Sequence, residues 1–226
     1  MLILISHGSG GIGGNELRLA ETFLSKGYNI GLLDYFSKFG IDSLGWIDHG
    51  PYIDLHECTF SDMFDFTMPQ YDKIVHIGSS LGGYLGLYHS NHFVKNYCFY
   101  PGIIALTPRL MSNDYVNTTV FLAKNDNWCD NYNDFEAHCL MPPISTTVPN
   151  THHGFMIPNK NREILITKYN TTSKILSNSE FDTLKPNTHS FAEHFSEKNN
   201  QTIVLQSNEK YSIMCINQIL KEIAYL

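Results

Sequence analysis

The chain has 226 residues, enough for one domain with a sizeable core, and 42% are hydrophobic against 16% charged, which excludes a disordered chain. Its formal net charge of −7 speaks against nucleic acid and anionic membrane surfaces as partners. The five cysteines, Cys58, Cys98, Cys129, Cys139 and Cys215, are odd in number, widely spaced and free of any Cys-x-x-Cys, so reduced thiols in a cytoplasmic protein are expected.

The apolar run at Leu2–Ser6 lacks a basic flank before it and a cleavage site after it, so it reads as a buried strand and not as a secretion signal. A glycine-rich loop, Gly8–Gly14, follows it. Asn15 is then a natural cap for a helix carrying Leu17, Ala20, Phe23 and Leu24 on one face and stopped by Gly27. Asn29–Leu33 reads as a second strand ending at Asp34, and residues 36–70 as irregular. Lys73–Ile77 is a third strand and Leu81–His89 a helix. Asn96–Phe99, Thr118–Ala123 and Ser145–Val148 are three further strands. Residues 157–209 break this rhythm. They are polar and rich in Asn, Ser, Thr and Lys, and read as an insertion: a lid, an arm or a surface excursion. Ile213, Ile216, Ile219, Leu220 and Ile223 recur at helical spacing and close the chain. No stretch is long enough to span a bilayer. Strands that are apolar on both faces and alternate with helices predict one α/β domain over 1–226. Its mostly parallel sheet has about six strands, with helices on both faces.

In such a sheet the chemistry collects at the carboxyl ends of the strands. Gly78-Ser79-Ser80-Leu81-Gly82 spells G-x-S-x-G between a strand and a helix. There a sharp turn lifts a serine hydroxyl into reach of a base, and the glycines relieve the crowding. Beyond the fifth strand stand Asp126 and Asp130, and beyond the sixth His152 and His153. Serine, acid and histidine therefore follow one another in the order an α/β-hydrolase arrangement needs. Ser80 needs a base to become a nucleophile, a histidine can take and return the proton, and a carboxylate fixes the imidazole tautomer. The Leu81 amide at the helix start, with the Ser9 or Gly10 amide from the glycine loop, is placed to receive an oxyanion. Tyr100, Trp128 and Phe155 stand at strand ends, where they could wall a substrate pocket.

Taken together, His7-Gly8-Ser9-Gly10-Gly11, Asp34-Tyr35-Phe36, Gly78-Ser79-Ser80-Leu81-Gly82-Gly83, Tyr100-Pro101-Gly102, Asp126-Asn127-Trp128 and His153-Gly154-Phe155 resemble the dienelactone hydrolase family of α/β hydrolases. The resemblance covers residues 1 to about 156 and about 207–226. It implies an α/β-hydrolase sandwich and hydrolysis of a small ester, lactone or thioester through an acyl-enzyme on Ser80. Asp126 is then preferred over Asp130 as the acid, and His153 over His152 as the base. The strands that usually lead the fold are expected to be missing here, and the insertion has no counterpart in the family.

Two other classes stay open. Gly8-Ser9-Gly10-Gly11-Ile12-Gly13 also spells G-x-G-x-x-G after a strand, and Asp34 ends the next strand. Together these form a dinucleotide-binding fingerprint that would suit an NAD(P)-dependent oxidoreductase. No Tyr-x-x-x-Lys accompanies it, and it leaves Ser80, Asp126 and His153 unexplained. The second class is a non-catalytic ligand-binding protein on the same scaffold. The eleven histidines offer no H-E-x-x-H or other metal spacing, so no metal and no cofactor are expected. The expected partner is a small ester-like molecule, and a homodimer is allowed but not required.

Overall fold

A computed structural model describes residues 1–37, 40–43, 62, 70–103, 108–128, 132–169 and 198–226, and within it six short runs form one parallel sheet. They are β1 (Leu2–Ser6), β2 (Asn29–Leu33), β3 (Ile74–Ser79), β4 (Lys95–Phe99), β5 (Thr118–Ala123) and β6 (Ile144–Val148), in the order β2-β1-β3-β4-β5-β6. β1 and β3 are buried at every position, as strands covered on both faces must be, whereas the edge strands β2 and β6 are mostly exposed or half-buried.

Helices α1 (Gly14–Leu24) and α2 (Leu81–Tyr88) follow β1 and β3. The short α3 (Pro108–Met111) and α4 (Tyr132–His138) lie before and after β5, and α5 (Glu209–Ile223) is the last described element. The pleat of β1 divides the core in two. Leu2 and Leu4 join Tyr84, Leu85 and Phe135 on one side, while Ile3 and Ile5 join Phe23, Ile216 and Ile219 on the other. Among the described residues no helix is long and apolar enough to cross a membrane.

Three expectations change. α1 is capped by Gly13, whose N–H donates to Glu16 Oε2 at 2.9 Å, and Asn15 lies inside the helix. Its buried face is also rotated. Leu17 and Leu24 are 50% and 56% exposed, whereas Asn15 and Glu16 are buried with Leu19, Ala20 and Phe23. The reason is that the start of α1 forms a wall of the cavity described below, which places two polar side chains inward. Thirdly, the polar 157–209 segment contains β7 (Asn161–Tyr169) and β8 (Lys198–Gln206), paired antiparallel from Asn161↔Gln206 to Tyr169↔Lys198. The remainder of that insertion, 170–197, lies outside the described residues.

Sequence order runs outward from β1 to β2 on one side and resumes with β3 on the other, so the sheet reverses between β1 and β3. A crevice opens outside the carboxyl ends of strands at such a point. The Gly8–Gly14 loop leaves β1 there, and Ser80 leaves β3. The helix that Ser80 opens packs against β1 without clearance, because a Cβ on Gly82 would lie 2.5 Å from Ser6 O and 2.7 Å from His7 O. Gly82→Ala is therefore expected to destabilise the fold by about 1–3 kcal/mol, since backbone cannot yield as a side chain can. A urea-unfolding midpoint equal to that of the unaltered protein would contradict this packing.

Candidate active site

Ser80 stands between β3 and α2 with φ 53° and ψ −114°, a conformation that costs a non-glycine residue roughly 1–3 kcal/mol. Three hydrogen bonds hold it there. Its N–H donates to Phe99 O at 2.9 Å, and its carbonyl accepts from Tyr84 N and Gly102 N, both at 3.0 Å. Tyr100, the residue after Phe99, is likewise at positive φ (36°). The turn after β4 thus clasps the turn after β3.

Asp126 lies in the loop after β5. Its Oδ1 accepts from Trp128 N at 2.8 Å, which leaves Oδ2 for the histidine. His153 lies after β6, and the Asn125 N–H donates to Thr151 O at 2.9 Å, joining the two loops. The His153 Nδ1–H donates to Asp126 Oδ2 at 2.8 Å, and His153 Nε2 accepts from the Ser80 hydroxyl at 3.1 Å. The His153 and Asp126 side chains are 5% and 7% exposed, so this series of hydrogen bonds is shielded from water except at its serine end. The rings of Tyr100 and Trp128 lie 4.7 and 4.9 Å from the imidazole, centroid to centroid, and limit its tilt.

A cavity of about 520 Å³ opens onto Ser80. Gly8, Ser9 and Gly10 line it on the β1 side, with Tyr100, Trp128 and His153 opposite. Leu81 is the first residue of α2, so its N–H is one of the donors a helix start leaves unpaired. Phe155 does not reach this cavity, contrary to expectation. It is 1% exposed and packs edge-on against Phe99 and Tyr100, because the chain turns inward after Gly154 (φ 78°). His152 takes no part in the Ser80–His153–Asp126 series. Asp130, the competing acid, lies outside the described residues.

His7 is buried beneath the glycine loop. Its Nδ1–H donates to Gly8 O at 2.7 Å, its ring stacks on Tyr35, and Tyr35 OH donates to His7 O. Burial holds its pKa below the usual histidine value. Asp34, the acid of the dinucleotide fingerprint, uses Oδ1 to accept the N–H groups of Phe36 (3.1 Å) and Ser37 (2.9 Å) in the next turn.

Sequence reasoning missed the acid behind the site. Glu16, 5% exposed, lines the cavity, and its Oε1 and Oε2 accept from Asn15 Nδ2 and Gly13 N. The Gly13-x-x-Glu16 spacing was the available signal. His76 lies fully buried across three strands. Asn96 Nδ2 donates to Gly86 O at 2.9 Å and to Thr118 Oγ1 at 3.3 Å, so Asn96 Oδ1 is the acceptor for His76 Nδ1–H at 2.7 Å. Its Nε2 therefore accepts from the Ser6 hydroxyl at 2.6 Å. The network links β1, β3 and β4 to the carbonyl of Gly86 on α2.

No protein-family model and no curated protein matches the chain. Solved structures do. An alpha-beta serine hydrolase homologue from Coxiella burnetii matches with a TM-score of 0.54 at 14% identity, over 69% of this chain and 77% of that one. The alpha/beta hydrolase domain-containing protein 10 from mouse matches at 0.52 and 11% identity, over 70% and 83%. An alpha/beta hydrolase from the metagenome of lagoon sediments at Mar Chica, Morocco, matches at 0.50 and 16% identity, over 70% and 84%. The chain has the α/β-hydrolase fold. In this α/β-hydrolase sheet the Ser80 turn, the Asp126 loop and the His153 loop all leave the same edge, at the carboxyl ends of β3, β5 and β6.

The buried His76 gives the fold an acid sensitivity. Burial lowers its pKa to about 4, against 6.5 in the unfolded chain, although its Asn96 partner raises it. The unfolded state thus binds the proton between these values and the folded state does not. The stability this provides is complete above pH 6.5 and falls as pH drops towards 4, by roughly 3 kcal/mol. His7 acts in the same direction. Urea unfolding at pH 7.5 and pH 4.5 is expected to show a smaller loss in His76→Gln than in the unaltered protein. Equal losses would remove His76 from the acid response.

Proposed function

We propose that this protein is a serine hydrolase of the dienelactone hydrolase kind, cleaving a small ester, lactone or thioester through an acyl-enzyme on Ser80. One observation carries the reading: Ser80 Oγ, His153 Nε2 and Nδ1, and Asp126 Oδ2 lie in one hydrogen-bonded line that ends in an open cavity.

The chemistry follows from that line. Ser80 Oγ attacks the carbonyl carbon while its proton passes to His153 Nε2, and Asp126 stabilises the imidazolium. The carbonyl oxygen becomes an oxyanion and is received by the Leu81 N–H, with the Ser9 or Gly10 N–H as second donor. Collapse breaks the bond to the leaving group, which takes the proton from His153. Water, deprotonated by His153, then cleaves the acyl–Ser80 bond and returns the proton to Oγ. Tyr100 and Trp128 flank the reacting centre. No step needs a cofactor or metal. We also read the protein as cytoplasmic, in keeping with the free thiols of Cys98, Cys139 and Cys215.

A fluorophosphonate probe and short 4-nitrophenyl esters test this. Ser80→Ala is expected to abolish both labelling and turnover with an unchanged circular dichroism spectrum. Asp126→Asn is expected to lower kcat by roughly four orders of magnitude, through loss of the correct imidazole tautomer. Turnover that persists in Ser80→Ala would end the reading. Reduced nicotinamide cofactor binding without labelling would favour the oxidoreductase instead.

A further inference from the structure

His153 sits in a loop that the junction of β8 and α5 grips on both sides of it. Asn208, the residue that opens α5, donates from its backbone N–H to Phe155 O at 3.0 Å and from its side-chain Nδ2 to Asn150 O at 3.1 Å. One accepting carbonyl precedes His153 and the other follows it. Asn150 and Gly154 stand at positive φ (54° and 78°), so the chain bends sharply on either side of the histidine. A further tie comes from Arg18, whose Nη2 donates to Met156 O at 2.7 Å and to Ser212 Oγ of α5 at 2.6 Å.

The acid loop has a matching contact. Asn127 Nδ2 donates to Thr202 O on β8 at 2.8 Å, and His153 forms a parallel bridge with Leu205 on the same strand. Residues 202–208 therefore run as one splint past both loops. The Asp126–His153 hydrogen bond joins loops that leave different strands, and its 2.8 Å length survives only if those loops do not drift apart. Such geometry has to be held within roughly 0.5 Å, and a misplacement of about 1 Å can cost a hundredfold in rate. Asn208 also serves its own helix, because its Oδ1 accepts from Tyr211 N at 3.4 Å and caps α5. The oxygen of this one amide caps the helix while its nitrogen holds the histidine loop.

We propose that Asn208 and Asn127 are positioning residues, Asn208 holding the His153 loop and Asn127 the Asp126 loop, each against the segment that joins β8 to α5. Neither touches the reacting atoms; both act through the imidazole and its carboxylate. Their effect on turnover rests on the hydrolase reading, whereas the restraint on the imidazole does not.

Asn208→Asp separates the two uses of that side chain. Aspartate caps a helix as well as asparagine does, and its charge suits a helix start, but its carboxylate has no N–H to give Asn150 O. The urea-unfolding midpoint is expected to be equal or higher, whereas kcat for a short 4-nitrophenyl ester falls about tenfold with KM unchanged within about twofold. Asn127→Ala, at an exposed position, is expected to lower kcat about threefold in the same manner. A second readout needs no catalysis. In protein carrying isotopically labelled histidine, the His153 Nδ1–H signal is identified by its loss in His153→Gln. Its exchange with water is expected to be several times faster in each variant. Unchanged kcat or unchanged exchange in a variant overturns the role of that residue, and a loss of kcat accompanied by a lowered urea midpoint does so as well. A His153 Nδ1–H that exchanges too fast to observe in the unaltered protein overturns the restraint altogether. Absence of turnover and of Ser80 labelling in the unaltered protein overturns the hydrolase reading alone, and the exchange rates still decide the restraint.

Discussion

A Cβ on Gly82 would lie within 2.8 Å of three backbone atoms of β1 and the loop behind it, and one on Gly78 would lie 2.4 Å from Gly82 O. This contact between bare backbones is what the rest of the site depends on. It brings the first turn of α2 against the ends of β1 and β3. Ser80 and the Gly8–Gly10 loop then line the same cavity. It also fixes how sharply the chain turns at Ser80, whose positive φ is kept by hydrogen bonds to Phe99, Tyr84 and Gly102. Strain at one residue persists only where its surroundings determine it from several sides.

Behind that contact runs the polar network of Ser6, His76 and Asn96. A buried histidine among apolar strands would weaken the sheet if either ring nitrogen lacked a partner, since an unsatisfied buried polar group costs about 1–3 kcal/mol. Both nitrogens have partners, and each partner sits on a neighbouring strand. Asn96 then reaches Gly86 O, inside the helix that Ser80 opens. The network acts as a cross-tie between the sheet and the helix that follows the Ser80 turn. Phe93 stacks on the imidazole at 4.7 Å and keeps solvent away from it.

The parallel sheet was legible because its information is local. β1 and β3 are short apolar runs, and Gly-x-Ser-x-Gly marks the turn between strand and helix. Ser80, Asp126 and His153 could be singled out because each follows a strand, and topology carries all strand ends to one edge. Features that depend on tertiary surroundings were hidden. The inward face of α1 could not be read from apolar spacing, because the cavity wall, and not the core, claims Asn15 and Glu16. Phe155 follows His153 by two residues, yet the backbone at Gly154 turns it towards Phe99 and Tyr100. The hairpin was masked by its polar flanks. Ile164-Leu165-Ile166 and Ile203-Val204-Leu205 were its only apolar signals, and their pairing joins segments more than 30 residues apart.

That hairpin changes how the insertion is understood. Had it been a surface excursion, its strands would have touched the domain only where they leave and rejoin it. Instead β8 meets the acid loop through Thr202 and the histidine loop through Leu205, so one element braces two loops that arise from different strands. Asp126 and His153 must stay within hydrogen-bond distance of each other, and loops that move independently would degrade that distance. A strand laid across both lowers their freedom together. The same strand sets the register of Arg162 relative to His153. A change in the hairpin would therefore bear both on the cavity wall that Leu205 lines and on how firmly the imidazole is held, because Thr202 O accepts from the Asn127 side chain and Leu205 pairs with His153.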